Sequence, residues 1–155
     1  MEQTIVLIKP DGLQRGLVGE IIHRFEIKGL KLTGIKMVRV DDAFLEEWYF
    51  HLKDKDFFKD IKEFIKWTPI VAMVWEGLDV ISTVRKLVGI TKSREAEAGS
   101  IRGDFGMSQQ NNLIHASDSK ESAEREIKLV FDKEEIFDYK SDMDPLIYGK
   151  RELPQ

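Results

Sequence analysis

The segment Asn112-Leu113-Ile114-His115-Ala116-Ser117-Asp118 sets one imidazole at the end of a short apolar run, directly ahead of a helix-start signal. An imidazole is a nitrogen nucleophile that needs no strong base near neutral pH, so a histidine held there can attack an electrophile. Leu113 to Ala116 is too short and too apolar to be anything but a buried strand or a core turn. Asp118 or Ser119 can then cap a helix whose first turn carries Glu121 and whose apolar positions Ala123, Ile127, Val130 and Phe131 follow helical spacing. The histidine therefore sits at a strand-to-helix junction. Ser119, Ser122 and Glu126 share one stripe of that helix, which lets the Glu126 carboxylate lean back over the ring. Taken alone, a histidine at a strand end is more often a hydrogen-bonded structural residue than a nucleophile.

The elements that must position it are legible from apolar periodicity. Thr4 to Ile8 reads as a buried strand, Leu17 to Lys28 as an amphipathic helix stopped by Gly29, and Leu30 to Val40 as a second strand. The alternation of that strand breaks at Gly34-Ile35, which points to a bulge or a close backbone approach. Asp41 or Asp42 caps a helix through Leu52, and Phe57 to Trp67 forms a second one, giving a helical hairpin closed by Pro69. Ile70 to Trp75 is a wholly apolar third strand, and Asp79 caps a helix through Val88 that ends at Gly89. From Ile90 to Asn112 charge, glycine and glutamine follow no period, and a loop that long in a compact domain is usually functional. Strand, helix, strand, hairpin, strand, helix, strand, helix is two βαβ units in sequence. That order suits an α+β fold, a ferredoxin-like βαββαβ sandwich with a four-stranded antiparallel sheet. The tail from Phe131 to Gln155 is aperiodic but carries Phe137, Tyr139, Ile147 and Tyr148, and is expected to pack across a surface or a neighbouring subunit.

At 155 residues and 42% hydrophobic content the chain fits a single domain, residues 1–155, with a sizeable core. Zero cysteines exclude disulfides and thiolate metal sites, and the apolar run Ile5 to Ile8 is interrupted at Lys9. A cytoplasmic setting without membrane association is the expectation. A net charge of -4 gives no general attraction to nucleic acid, so phosphate must be held by a local cluster of Lys and Arg. No G-x-G-x-x-G is present, and Gly29 to Gly34 followed by Ile35-Lys36 lacks the P-loop Lys-Ser/Thr.

Lys9-Pro10-Asp11-Gly12, Arg15-Gly16-Leu17-Val18-Gly19-Glu20-Ile21-Ile22, Ala72-Met73-Val74-Trp75-Glu76-Gly77, Ser100-Ile101-Arg102-Gly103-Asp104-Phe105 and Ser122-Ala123-Glu124, taken with the histidine segment, resemble the nucleoside diphosphate kinase family. The resemblance runs from about Thr4 to Tyr148. It implies that His115 takes the γ-phosphoryl group of ATP or another nucleoside triphosphate and passes it to a nucleoside diphosphate in a ping-pong cycle. It further implies that Glu126 orients the ring through its other nitrogen, that Ser117 bonds that carboxylate, and that Lys9, Arg85, Thr91 and Arg102 converge on the phosphates, where guanidinium forks suit phosphoryl oxygens. Mg²⁺ would arrive on the nucleotide's own phosphates, with no protein metal site. By the same resemblance Lys9 and Asn112 read the ribose 3′-hydroxyl, Tyr49 is the aromatic near the lysine, Phe57 stacks on the base, and Ile61 lines the same wall. A homo-oligomer is implied, hexamer before tetramer. Departures lie outside the catalytic set: Gln109 replaces a valine against the base, Lys92-Ser93 replaces a loop residue and proline, and Glu95-Ala96-Glu97-Ala98 replaces a segment that often includes another proline. Gln109 is expected to point to solvent, and His23 and His51 are expected at the surface.

Two other readings compete. Ferredoxin-like sheets often bind RNA through stacked aromatics, but Lys28-Gly29-Leu30-Lys31-Leu32 carries leucines where rings should stack, and the chain is acidic. A catalytically silent assembly scaffold is the second alternative, and the intact His115, Glu126, Lys9 and Arg102 argue against it.

Overall fold

Ile70 to Trp75 contains no polar residue because both of its faces are covered: in the computed structural model, which describes residues 1–153, this strand lies inside a sheet with helices on either side. The strands are β1 (Glu2–Ile8), β2 (Lys31–Val38), β3 (Ile70–Gly77) and β4 (Ile114–Ala116). They pair in the order β2-β3-β1-β4, every pair antiparallel. The expected ferredoxin-like sandwich is the fold observed. In chain order the helices are α1 (Pro10–Gln14), α2 (Val18–Ile27), α3 (Asp42–Trp48), α4 (Phe58–Lys66), α5 (Val80–Val88), α6 (Ile101–Phe105), α7 (Lys120–Val130) and α8 (Asp144–Ile147).

Strand alternation divides the core in two. Val6 and Ile8 of β1 join Val71, Met73 and Trp75 of β3 on the face covered by α2 and α5, with Ile21, Phe25, Val80 and Val84 fully buried there. Ile5 and Leu7 join Ala72 and Val74 on the opposite face, under Leu45 and Trp48 of α3, Ile65 of α4 and Ile127 and Val130 of α7. In β4, Ile114 and Ala116 belong to the first face, so His115 between them must project to the second. Its register partner is Leu7.

Several local expectations are refined. Asp41 is the residue that caps α3, its side chain accepting from the Phe44 N–H at 2.8 Å, and Ser119 rather than Asp118 caps α7. The helix after Asp41 does not run through to Leu52; it stops at Trp48, and residues Phe50–Leu52 form a separate 3₁₀ turn. Asp79 precedes α5 but gives no side-chain cap, because its backbone is left-handed at φ 47°. The sheet irregularity falls between Leu32 and Gly34, one residue earlier than expected. Gly34 is also a close approach: a Cβ there would meet the Glu135 carbonyl oxygen at 3.1 Å and the Phe131 ring at 3.3 Å. Residues 90–112 are not structureless, since they contain a 3₁₀ turn at Ser93–Glu95 and helix α6 capped by Ser100. The short α1 was not anticipated, although Pro10 at its first turn is a recognised start signal. The tail crosses the edge strand: Tyr139 donates its hydroxyl to the Leu32 carbonyl, and Phe137 N–H bonds Thr33 O. Its final residues, Pro154 and Gln155, lie outside the described residues. Among the described residues no helix is long and apolar enough to cross a membrane.

Candidate active site

The site is built on one unusual turn where β4 begins. Leu113 has φ 73°, a left-handed conformation uncommon for a residue with a side chain. Its carbonyl accepts the Lys9 N–H at 2.8 Å and its own N–H donates to Asp11 Oδ2 at 2.9 Å. The chain can pass this closely only beside a glycine, because a Cβ on Gly12 would lie 2.9 Å from the Leu113 oxygen and 2.7 Å from Ile8. The end of β1 and the start of β4 are thereby fixed side by side.

On the second face His115 meets α7. Its Nε2 lies 3.0 Å from Glu126 Oε2, and Ser117 Oγ donates to that same oxygen at 2.7 Å. Glu126 is 5% exposed, so the carboxylate is a fixed acceptor rather than a solvated surface charge. An acceptor at Nε2 assigns the ring proton there and leaves the Nδ1 lone pair free. The Trp48 ring stands edge-on to the imidazole at 5.1 Å and 70°, filling the space behind it. Arg125 Nη2 approaches the other carboxylate oxygen, Oε1, at 3.6 Å.

The cations converge from separate elements. Lys9 Nζ donates to Asn112 Oδ1 at 2.8 Å and to the Gln110 carbonyl at 2.7 Å, leaving one of its three donors free. Burial pushes its pKa down to about 8; Asp11 opposes that fall and Arg102 adds to it. Arg102, 9% exposed, donates to the carbonyls of Asn112 (3.2 Å), Gly89 (2.9 Å) and Ile114 (2.6 Å). Three of its five N–H groups are thus used by the backbone and two remain. Burial, then the neighbouring Arg85, lowers its pKa to about 10. Asn112 is held in turn by the carbonyls of Thr91 and Gln109, at 3.1 and 2.8 Å.

All of these groups open on one cleft of about 1010 Å³. His115, Lys9 and the buried Glu126, Arg102 and Asn112 form its inner end, and the exposed Arg85 and Thr91 line it together with Tyr49, Phe57, Ile61 and Gln109. Ser117 is the one expected residue absent from the surface of the cleft; it is buried behind Glu126. The aromatic ring that faces the Lys9 ammonium is Phe64, at 5.3 Å, and Tyr49 lines the same cleft as Lys9. Tyr49 lies within the field of Glu126: burial, then that carboxylate, raises its pKa to about 12 and keeps the phenol protonated. Phe57 is 49% exposed and Gln109 is exposed, both at the opening. His23 and His51 are exposed as expected, but His51 also lines the cleft.

Sequence reading missed Trp48, Phe64, Arg125 and Asp11. Trp48 and Phe64 share the apolar stripes of their helices with core residues and so read as packing. Arg125 adjoins Glu126, a usable signal, yet an arginine on a charged helix looks like any solvated one. Among the described residues no group of three or more His, Asp or Glu could hold a metal ion.

Comparison with known proteins points to one family. A family model described as nucleoside diphosphate kinase matches residues 2–136. The chain is 53% identical to a nucleoside diphosphate kinase of Parabacteroides distasonis over 90% of this chain and 91% of that one. It is 50% identical to nucleoside diphosphate kinase A of Rattus norvegicus, covering 95% and 97%. Among solved structures, a halophilic nucleoside diphosphate kinase from Halobacterium salinarum in complex with CDP superposes with a TM-score of 0.93 at 45% identity, over 96% of this chain and 99% of that one.

Proposed function

The chain belongs to the nucleoside diphosphate kinase family, enzymes that move a γ-phosphoryl group from a nucleoside triphosphate to a nucleoside diphosphate through a phosphohistidine, and we propose that Nδ1 of His115 carries the group here. The observation that carries this reading is the shared acceptor Glu126 Oε2, which binds His115 Nε2 at 3.0 Å and Ser117 Oγ at 2.7 Å. With Nε2 occupied, the Nδ1 lone pair attacks the γ-phosphorus. The bridging P–O bond to the β-phosphate breaks and its electron pair leaves on the diphosphate. Positive charge that develops on the ring is offset by Glu126 through the Nε2–H, and Ser117 keeps the carboxylate from rotating. The diphosphate departs, a second one binds, and the same steps run in reverse.

The free donors on Lys9 and Arg102 are suited to the phosphoryl oxygens in flight, with Arg85 and Thr91 toward the leaving phosphates. Asn112, already bonded to Lys9, offers the remaining lone pair of Oδ1 to the ribose 3′-hydroxyl, and the one free donor of Lys9 is shared between that hydroxyl and the phosphoryl oxygens. Phe57 and Ile61 give an apolar wall for a base, and Gln109 and Tyr49 complete the nucleotide surface. The reading includes Mg²⁺ carried on the nucleotide's own phosphates, where the ion would neutralise phosphate charge.

The same reading includes a homo-oligomer in the cytoplasm, hexamer before tetramer. Supporting it are the exposed Ile35 and Met37 on edge strand β2 and Phe137 and Leu146 in the tail. Sedimentation giving a monomer at micromolar concentration would contradict that part. For the chemistry, the protein mixed with labelled ATP and Mg²⁺ should acquire acid-labile, alkali-stable phosphate, and His115→Ala should lose phosphoenzyme and turnover together. Turnover retained in that variant would sink the mechanism, and intersecting double-reciprocal lines would count against a ping-pong cycle.

A further inference from the structure

Asp11 is a buried acid for which the phosphoryl transfer described above has no use. It is 9% exposed and does not line the cleft, so it cannot touch a nucleotide. One oxygen, Oδ2, accepts the Leu113 N–H at 2.9 Å. The other, Oδ1, is buried and has no hydrogen-bond partner among the described residues. Leaving a carboxylate oxygen unpaired in the interior is unfavourable, so its charge must be balanced by neighbours.

Two cations face it, Lys9 at the head of α1 and Arg102 on α6. The other groups around Lys9 are neutral or repulsive: the Gln110 carbonyl, the Asn112 amide, the Phe64 ring on α4, and Arg102 itself. Around Arg102 stand three backbone carbonyls and, from α5, the like charge of Arg85. Asp11 is thus the carboxylate whose charge bears on both.

We propose that Asp11 is a positioning residue of the phosphoryl-transfer site: through Oδ2 it holds Leu113 in its left-handed turn between Asn112 and His115, and through its charge it keeps the buried Lys9 protonated and counterbalances Arg102. The proposal rests on the reading of the site given above. Its geometric half follows from φ 73° at Leu113, a conformation that persists only where the surroundings fix it. Fixing this peptide sets the direction in which the chain enters β4. Its electrostatic half follows from burial, which already brings the Lys9 pKa to about 8 against the pull of Asp11. Without that pull the ammonium gives up its proton at lower pH.

The two halves separate in two substitutions of the full-length enzyme. Asp11→Asn keeps the size and an oxygen for Leu113 but removes the charge. Asp11→Glu keeps the charge and misplaces the acceptor. The measurement is kcat/KM for GTP as donor, with ADP as acceptor, from neutral pH to about pH 10, a profile that reports groups of the free, unphosphorylated enzyme. In the wild type, kcat/KM falls as pH rises through the Lys9 value of about 8. In Asp11→Asn that limb moves down by about one pH unit, giving about a twofold loss at neutral pH and about tenfold on the alkaline side. In Asp11→Glu the limb stays in place and kcat falls at every pH. A limb in Asp11→Asn superposable on that of the wild type would overturn the proposal, because a merely structural acid has no reason to move it. Should Asp11→Glu fail to fold, Asp11→Asn decides alone. Wild-type protein that forms no phosphohistidine would sink the functional reading instead, which keeps the two failures distinct.

Discussion

Where the cleft meets β1 and β4, the polar side chains are tied to the protein before any ligand arrives: Arg102 by three carbonyls, Asn112 by two, Lys9 by Asn112 and Gln110, and His115 by Glu126. Where it meets the α3–α4 hairpin, the groups proposed to face the base are loose by comparison. Phe57 is 49% exposed, and Gln109 contributes its backbone carbonyl to Asn112 while its side chain stays at the surface. The inner end is preorganised, so a displaced or missing group there leaves buried partners unpaired. The outer end offers a ring face and apolar contact, which any base can use. Strict reading of phosphate and sugar beside tolerance of the base is the outcome expected from that difference in construction.

The largest effect expected from breaking the contrast is at Glu126. Glu126→Ala should lower kcat by on the order of 10²- to 10⁴-fold with nucleotide binding nearly intact, because the residue orients and polarises the nucleophile. Glu126→Gln, which keeps a hydrogen-bond partner, should lose less; equal losses would mean that charge or a protonation step outweighs orientation. Next comes Arg102→Ala, which strands the carbonyls of Gly89, Asn112 and Ile114. Thermal unfolding should show a loss on the order of 1–3 kcal/mol alongside reduced kcat/KM, and unchanged stability would show that water replaces the guanidinium.

The inner and outer ends can be weighed directly with substrates. A 3′-deoxy diphosphate should lose about 10- to 100-fold in kcat/KM, since Lys9 and Asn112 would face it with unmatched polar groups, whereas the four common bases should differ by less than about fivefold. A larger spread among bases than the 3′-deoxy loss would reverse the proposed hierarchy and point to Gln109. At the outer end Phe57→Ala should raise KM about fivefold with kcat unchanged, the low end of a stacking loss because the ring is half exposed. Gln109→Val is the smallest change expected, within about twofold for every base, and a base-dependent response would show that its amide reads a base edge.

What the sequence determined by itself had local causes. Apolar periodicity located α2, α4, α5, α7 and strands β1, β2 and β3, and left Leu113 to Ala116 as a buried strand or a core turn, which the structure resolves as β4. The three- and four-residue spacing on α7 brought Glu126 back to the imidazole, because a helix fixes which side chains stack. Gly34 was marked as irregular for the same reason, by a break in alternation. Tertiary structure decided the rest. That Arg102 sits 9% exposed among backbone carbonyls depends on where residues 90–112 fold, and no period in that segment says so. That the Phe64 ring faces the Lys9 ammonium depends on how the hairpin packs against the end of β1. The role of Asp11 turns on a left-handed residue about a hundred positions away, and the contacts that fix such a turn are long-range. Spacing along one element is set by covalent geometry and is readable from the chain, whereas the meeting of different elements is set by packing of the whole core and is not.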